Sequence, residues 1–281
     1  MRIKKILRLP KLLLILALIS AGGGYYWEVQ QRENQAYQGV PRLQSWSDWR
    51  NWHRVLRNQG FMVGYSELRM NPLWVTYRLE AAPPGAIGSR PSSFSQDKRS
   101  LARVAHQDYT GSGYDRGHLA PNYAIAKVHG REAQLQTFLM TNISPQTANL
   151  NRRVWQRIEQ IAMDHFAPLK QEVWVITGPV FAPQTARLPN TYIQIPTAFY
   201  KIFIAPATAE RSIKVLAFLV PQDVQGQEAL SQFLTSVRSI EEATGLDFLH
   251  RLPAQQQERL ETSIQPEPWL LDKVEQQLGR F

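Results

Sequence analysis

No cysteine occurs anywhere in the 281 residues. Disulfide staples, thiolate catalysis and Cys-based zinc sites are therefore excluded. The compartment is not, because a reducing cytosol and an oxidising periplasm both accommodate a cysteine-free chain. Acidic residues are missing from the start of the chain: none precedes Glu28. There is no fixed-period repeat, no low-complexity tract, and no stretch polar enough to be disordered as a whole.

What is present is globular in composition. The content is 43% hydrophobic and 20% charged, close to ordinary averages, on a chain long enough to bury a substantial core. Eight Trp and ten Tyr point to an ordered aromatic core or binding face. The net charge of +9 falls to +4 when Arg2, Lys4, Lys5, Arg8 and Lys11 are set aside. The remainder is moderately basic and compatible with a polyanionic partner.

Those five cations open the chain and precede an apolar run from Leu12 to Tyr26, broken only by Ser20. This is the layout of a secretory n-region and h-region. The run is short for a spanning helix of about 17–25 residues, and Tyr25, Tyr26 and Trp27 resemble an interfacial aromatic anchor. Residues 1–27 are expected to export the chain, either as a cleaved signal peptide or as an uncleaved membrane anchor. The product would be periplasmic or extracellular, with anchoring in a bacterial inner membrane as one form. The competing reading is a buried N-terminal helix.

Residues 28–58 read as a polar linker and a Trp-rich helix. Trp46, Trp49 and Trp52 recur at helical spacing, with Asp48 and Ser47 placed to start the helix. Such a stripe is ordinarily core; a base-stacking platform is the other reading. Residues 59–262 form the main domain and 263–281 a C-terminal tail. Strands are expected at 73–79, 172–177, 192–196, 199–205 and 213–220. Helices are expected at 131–138, 150–164, 226–243 and 254–262, with a loop over 81–97. Strands and helices do not alternate regularly. The fold class is therefore α+β, with a mainly antiparallel central sheet flanked by helices.

The chemistry concentrates between residues 90 and 160. TGSGYDRGHLAP (110–121) packs Asp115, Arg116 and His118 around Gly117. TNISPQTANLNRRVWQRIEQ (141–160) turns at Pro145 and enters a helix near Asn151, where Val154, Trp155, Ile158 and Ile161 keep a 3.6 period. An Asn at that place is ordinarily an N-cap or an unremarkable polar residue. Glu159 is eight residues on, about 12 Å along an ideal helix at about 1.5 Å per residue. The two side chains can look into one groove without both being inner ligands of one small ion.

YTGSGYDRGHLAP (109–121), taken with TFLMTNISPQTANLNRRVWQRIE (137–159), resembles the DNA/RNA non-specific endonuclease family, the DRGH-motif nucleases with a ββα-metal or His-Me finger. GSRPSSFSQD (88–97), ITGPVF (176–181), IPTAFYKIF (195–203) and SIEEATGLDFL (239–249) resemble its other segments. The resemblance spans roughly residues 60–262. It implies a Mg²⁺-dependent endonuclease, with Mn²⁺ as a substitute, acting on DNA and RNA without sequence preference. It implies His118 as general base and Asn151 as the single side-chain metal ligand. Glu159 would hold the metal's water near the leaving group, and Arg90 would stabilise the transition state. Arg116 and Asn142 would support phosphate binding.

The chemistry agrees with that assignment. A neutral imidazole can activate water near pH 7. Cations offset charge on the phosphoryl oxygens and the leaving O3′. One neutral Asn oxygen is a sparse shell that suits Mg²⁺, which keeps several waters. Asp115 is expected to fix the turn. Arg152, Arg153 and Arg157 fit either nucleic-acid backbone contacts or a solvated helix face. His53, His106, His129, His165 and His250 read as surface or structural. Two other function classes share these residues: a catalytically silent nucleic-acid-binding or uptake protein, and a phosphodiesterase acting on a non-nucleic substrate.

Overall fold

The structure, a computed structural model, describes residues 8–82, 85 and 87–277. Residues 1–7 of the basic start, Pro83, Pro84 and Ala86 of the loop, and residues 278–281 of the tail lie outside them. Helix α1 (Arg8–Glu33) leads to β1 (Arg42–Leu43), then to β2 (Arg54–Arg57), β3 (Phe61–Ser66) and β4 (Asn71–Glu80). A long loop precedes β5 (Asp115–His118), α2 (Asn122–Gln136) and β6 (Ile143–Gln146). Next is a helical rod. It is wound as π-helix over Leu150–Trp155, as α3 over Gln156–Ile161, as π-helix over Ala162–Phe166 and as α4 over Ala167–Lys170. Strands β7 (Glu172–Val180), β8 (Ala198–Ala205), β9 (Lys214–Pro221) and β10 (Leu234–Thr235) follow. Helix α5 (Val237–Thr244), β11 (Leu246–Asp247) and α6 (Ala254–Thr262) complete the order.

The main sheet has seven strands in the order β10-β9-β8-β7-β4-β3-β2, all pairs antiparallel. Strand side chains alternate between faces, and both faces are covered. Val63, Tyr65, Val75, Tyr77 and Val175 pack against Leu150, Val154, Trp155 and Ile158 of the rod. Met62, Trp74 and Ile176 point the other way, toward Val237 and Ile240 of α5 and Leu260 of α6. This is the α+β, mainly antiparallel class that the uneven strand and helix order predicts.

Several local expectations are corrected. Residues 44–58 do not form a Trp-rich helix. They form a single 3-10 turn, Trp49–Asn51, followed by β2. Short polar side chains there satisfy one another instead of a helix: Asn51 Nδ2 donates to Asp48 Oδ2 (2.6 Å), and the Ser45 and Ser47 hydroxyls lie 2.7 Å apart. Trp46, Trp49 and Trp52 are 81%, 52% and 51% exposed, so the stripe is not core. The linker is also partly helical, since α1 runs on to Glu33 and Glu28 pairs with Arg57 (2.9 Å).

Residues 192–196 make only an isolated bridge between Arg187 and Gln194. The helix expected at 226–243 is confined to α5, because Gly226 (φ 103°) and a 3-10 turn at Leu230–Phe233 occupy its first half. The helix expected at 131–138 starts earlier, at Asn122, and kinks at Gly130, whose φ of 85° lies in the left-handed region that favours glycine. The C-terminal tail is part of the packing. Trp269 is fully buried with its ring 5.1 Å from Phe166 and 6.3 Å from Phe203, on the rod side of the sheet. Edge-to-face aromatic pairs of this kind add about 0.5–1.5 kcal/mol beyond their burial.

Candidate active site

Strands β5 and β6 form a separate two-stranded pair, with Gly117 opposite Ser144 and His118 opposite Ile143. Their sequences, DRGH and ISPQ, have little intrinsic strand preference, so pairing and packing hold them. Gly117 has a steric reason. A Cβ there would come within 2.1 Å of Oε1 of buried Gln146. The glycine lets the pair close while its neighbours point into the cleft. The rod then crosses this pair, and the Trp155 indole donates to the His118 carbonyl (3.3 Å). Two strands and a helix therefore present one site.

That site is a cleft of about 570 Å³, whose lining includes Arg90, Arg116, His118, Asn151, Arg152 and Glu159. His118 sits in an aromatic box, with the Phe138 ring edge-on at 4.9 Å and the Phe94 ring at 5.3 Å. Its Nε2 is enclosed without a hydrogen-bond partner, leaving Nδ1 as the nitrogen open to the cleft. Burial, with a smaller contribution from Arg90, pushes its pKa down to about 3. The imidazole is therefore neutral at pH 7 and able to accept a proton.

Asn151 lies in the π-turn at the start of the rod, with its N–H bonded to the Thr147 carbonyl (2.9 Å). Its Nδ2 donates to Asp115 Oδ2 (3.0 Å). A carboxylate only accepts, so this bond fixes the amide orientation and leaves Oδ1 as a free acceptor at the cleft. Arg152 bonds the same carboxylate at 2.8 and 2.6 Å. Burial pushes the Asp115 carboxyl up, but the bonds from Arg152 and Asn151 together hold it below its ordinary value. Asp115 thus does more than fix its own turn: it ties β5 to the rod.

Glu159 lines the cleft one helical segment further on. The π-winding between it and Asn151 makes ideal α-helical angles inapplicable, and both side chains reach the same space. Behind Glu159 lies Lys201, a residue the sequence reasoning missed. Its Nζ is 3.2 Å from Glu159 Oε1 and 4.3 Å from the Trp155 ring centroid, and the side chain is fully buried. Burial raises the Glu159 pKa and lowers that of Lys201, each against the pull of the other. Both shifts point toward the neutral forms, because desolvation exceeds the attraction. The signal in the sequence is a lone lysine inside the apolar strand FYKIFIA.

Other predicted positions divide. Arg90 is exposed at the rim, 5.4 Å above the Phe138 ring. Arg116 lines the cleft while donating twice to the His106 carbonyl (3.1 and 2.7 Å), so it also clamps the preceding loop. Asn142 is set back from the cleft surface, where its hydrogen bonds organise the backbone behind the site. It is fully buried, and its amide is consumed by Ala120 N–H, the Ala120 carbonyl and the Thr137 carbonyl. Arg157 is likewise withdrawn, donating to the carbonyls of Glu228, Glu275 and Gln277. The remaining histidines serve packing. For example, His53 Nε2 lies 3.0 Å from the Trp74 indole nitrogen, and His165 bonds the Trp269 carbonyl. Glu241, Asp247 and Glu261 bring carboxylate oxygens within 4.8 Å of one another, but away from this cleft, with Glu241 and Glu261 bound by Arg238 and Asp247 by Arg42.

The family description "DNA/RNA non-specific endonuclease" matches residues 50–255, which contain every cleft residue named above. The chain belongs to that family. Endonuclease G, mitochondrial, of Bos taurus is 31% identical over 208 residues, covering 69% of this chain and 68% of the relative. The mitochondrial nuclease of Saccharomyces cerevisiae is 28% identical over 233 residues, 74% of this chain and 69% of the relative. A crystal structure of an EndoG/EndoGI complex superposes with a TM-score of 0.67 at 23% identity, over 78% of this chain and 91% of that one. This likeness gives the fold. As a member of the non-specific endonuclease family, the chain is a nuclease and its substrates are nucleic acids.

Proposed function

We propose that this nuclease hydrolyses phosphodiester bonds of both DNA and RNA with the help of Mg²⁺, using His118 as general base. The observation that carries the reading is the convergence of a neutral, unpaired His118 and an oriented Asn151 Oδ1 on one arginine-rimmed cleft. Asn151 would hold the ion. Its single neutral oxygen fits a cation that keeps most of its waters, and Glu159 is placed to accept hydrogen bonds from them. A bound Mg²⁺ supplies positive charge to the phosphoryl oxygens and the leaving O3′. His118 takes the proton of the attacking water. The anionic phosphate that brings the water also raises the affinity of the imidazole for that proton, opposing burial and Arg90. Arg90 and Arg116 face the phosphate and stabilise the charge that develops on it. Contacts to phosphate rather than base edges make cleavage indifferent to sequence. The test is purified full-length chain on supercoiled plasmid and on a structured RNA, with EDTA and then with Mg²⁺ restored. Nicking of both substrates that EDTA abolishes and Mg²⁺ restores is expected. EDTA-resistant cleavage, or none with Mg²⁺, would contradict it.

We further propose export of the nuclease domain. Among the described residues no helix is long and apolar enough to cross a membrane. Yet Leu13 to Tyr26 stand exposed along α1, with Leu13, Leu14, Ile15, Leu16, Leu18, Ile19, Tyr25 and Tyr26 among them. That favours a targeting or anchoring segment over a buried N-terminal helix. An unrestrained nuclease in the cytoplasm also threatens the host genome. Protease added to bacterial spheroplasts expressing the full chain is expected to digest the domain, unless it is already released. Full protection with no released protein would sink the proposal.

A further inference from the structure

The exposed Trp turn remains unexplained by the cleft. Three indoles within seven residues stand at the surface, and the turn that holds them is pinned from within. Trp52 Nε1 donates to the Trp46 carbonyl (3.0 Å), and Asn51 bonds both the Thr244 carbonyl (2.8 Å) and Arg69 (3.0 Å). Exposed aromatic clusters on a rigid support mark interaction surfaces.

Beside Trp49 runs a groove of about 350 Å³, lined also by Arg50, Leu68, Arg69, Arg187 and Gln194 and by no acidic residue. Arg50 lies 5.2 Å over the Trp49 ring, and Arg187 lies 5.4 Å over Tyr192, itself 68% exposed. Among the described residues neither of these guanidinium groups has a carboxylate within ion-pair distance. The Trp49 ring and two unpaired arginines in one concave strip, with Tyr192 against Arg187, suit a chain of planar bases joined by phosphates.

We propose that this groove is a second nucleic-acid site, which holds a single-stranded segment of the substrate outside the catalytic cleft. The proposal rests on the nuclease reading of the cleft and adds a surface to it. Concavity favours a polynucleotide over a lipid surface, which a protruding patch would meet better. The groove is also rigidly joined to the catalytic pair. Gln194 accepts from Arg69 (2.7 Å) through Oε1 and from Asn71 (2.9 Å) through its carbonyl. Asn71 accepts from Ser144 (2.7 Å), the residue opposite Gly117. A strand held in the groove is thereby held in fixed relation to His118.

The full-length His118→Ala protein, expected to cut at least about 100-fold more slowly, is titrated with fluorescent oligo-dT of about 20 nucleotides. Trp49→Ala and, separately, Arg50→Glu with Arg187→Glu are compared in the same background, with thermal unfolding as the check on folding. Trp49→Ala is expected to weaken oligo-dT binding by about 5- to 100-fold, the range for loss of one stacked base, and the double charge reversal is expected to weaken it and to flatten its salt dependence. In the cutting protein, Trp49→Ala should raise KM for long single strands while cleavage of a tetranucleotide stays the same. Unchanged oligo-dT affinity in both folded variants overturns the proposal. So does loss of binding to anionic phospholipid vesicles with oligo-dT binding intact. If the parent chain cuts nothing, the nuclease reading fails instead.

Discussion

Replacing His118 with alanine should lower cleavage by at least about 100-fold, the low end for loss of a general base, with folding and DNA binding retained. The side chain is boxed by Phe94 and Phe138, so its removal leaves a small apolar gap and no stranded charge. The same variant has a pH signature. Burial and Arg90 push the folded-state pKa of His118 to about 3, against about 6.5 in an unfolded chain. Between those values the unfolded chain binds a proton that the folded one does not. Stability from this group is therefore intact above about pH 6.5 and is lost as pH falls toward 3. The alanine variant lacks this source of acid sensitivity. Denaturant unfolding at pH 7 and pH 4 should show a smaller drop for the variant than for the parent. Near-normal turnover by a folded His118→Ala protein would remove His118 from the mechanism.

The features legible in the sequence were those that one side chain or one period can encode. The rod over 150–164 declared itself through Val154, Trp155, Ile158 and Ile161, and these are buried as the spacing requires. The strands at 199–205 and 213–220 declared themselves through β-branched and aromatic content, and β8 and β9 lie there. What was hidden depended on partners distant in the chain. Strands β5 and β6 are made of Asp, Arg, Gly, Ser, Pro and Gln, among others, and become strands only by pairing with each other. Strand β2 was masked because Trp46, Trp49 and Trp52 mimic a helical period, while the actual constraint is the polar turn around Asn51. Within the site, the family resemblance implies that Asn142 supports phosphate binding and organises the site. Only the fold shows that three backbone groups consume its amide. Lys201 was overlooked because its partner, Glu159, is 42 residues away. A charge inside an apolar strand is expensive enough to imply a buried partner, though not which residue supplies it.

Asn151→Ala should raise the Mg²⁺ concentration needed for cleavage by at least about 10- to 100-fold, the scale on which even outer supports of a metal site act. The reasoning starts from Asp115. Its carboxylate takes the Asn151 Nδ2 at 3.0 Å and thereby turns Oδ1 toward the cleft. Asp115→Ala should reproduce part of the same defect, because the amide then loses its orientation while the ligand atom remains. Asn151→Asp separates the two roles. It keeps an oxygen at the site but cannot donate to Asp115, and it sets a second negative charge against the first, so metal preference should change rather than disappear. Mg²⁺ titrations of cleavage, with calorimetric Mg²⁺ binding to the same proteins, order the three variants. The expected order of defect is Asn151→Ala beyond Asp115→Ala, with Asn151→Asp displaced in its choice among Mg²⁺ and Mn²⁺. A folded Asn151→Ala protein with the parent's Mg²⁺ requirement would show that the ion is held elsewhere, and the oriented amide would then need another explanation.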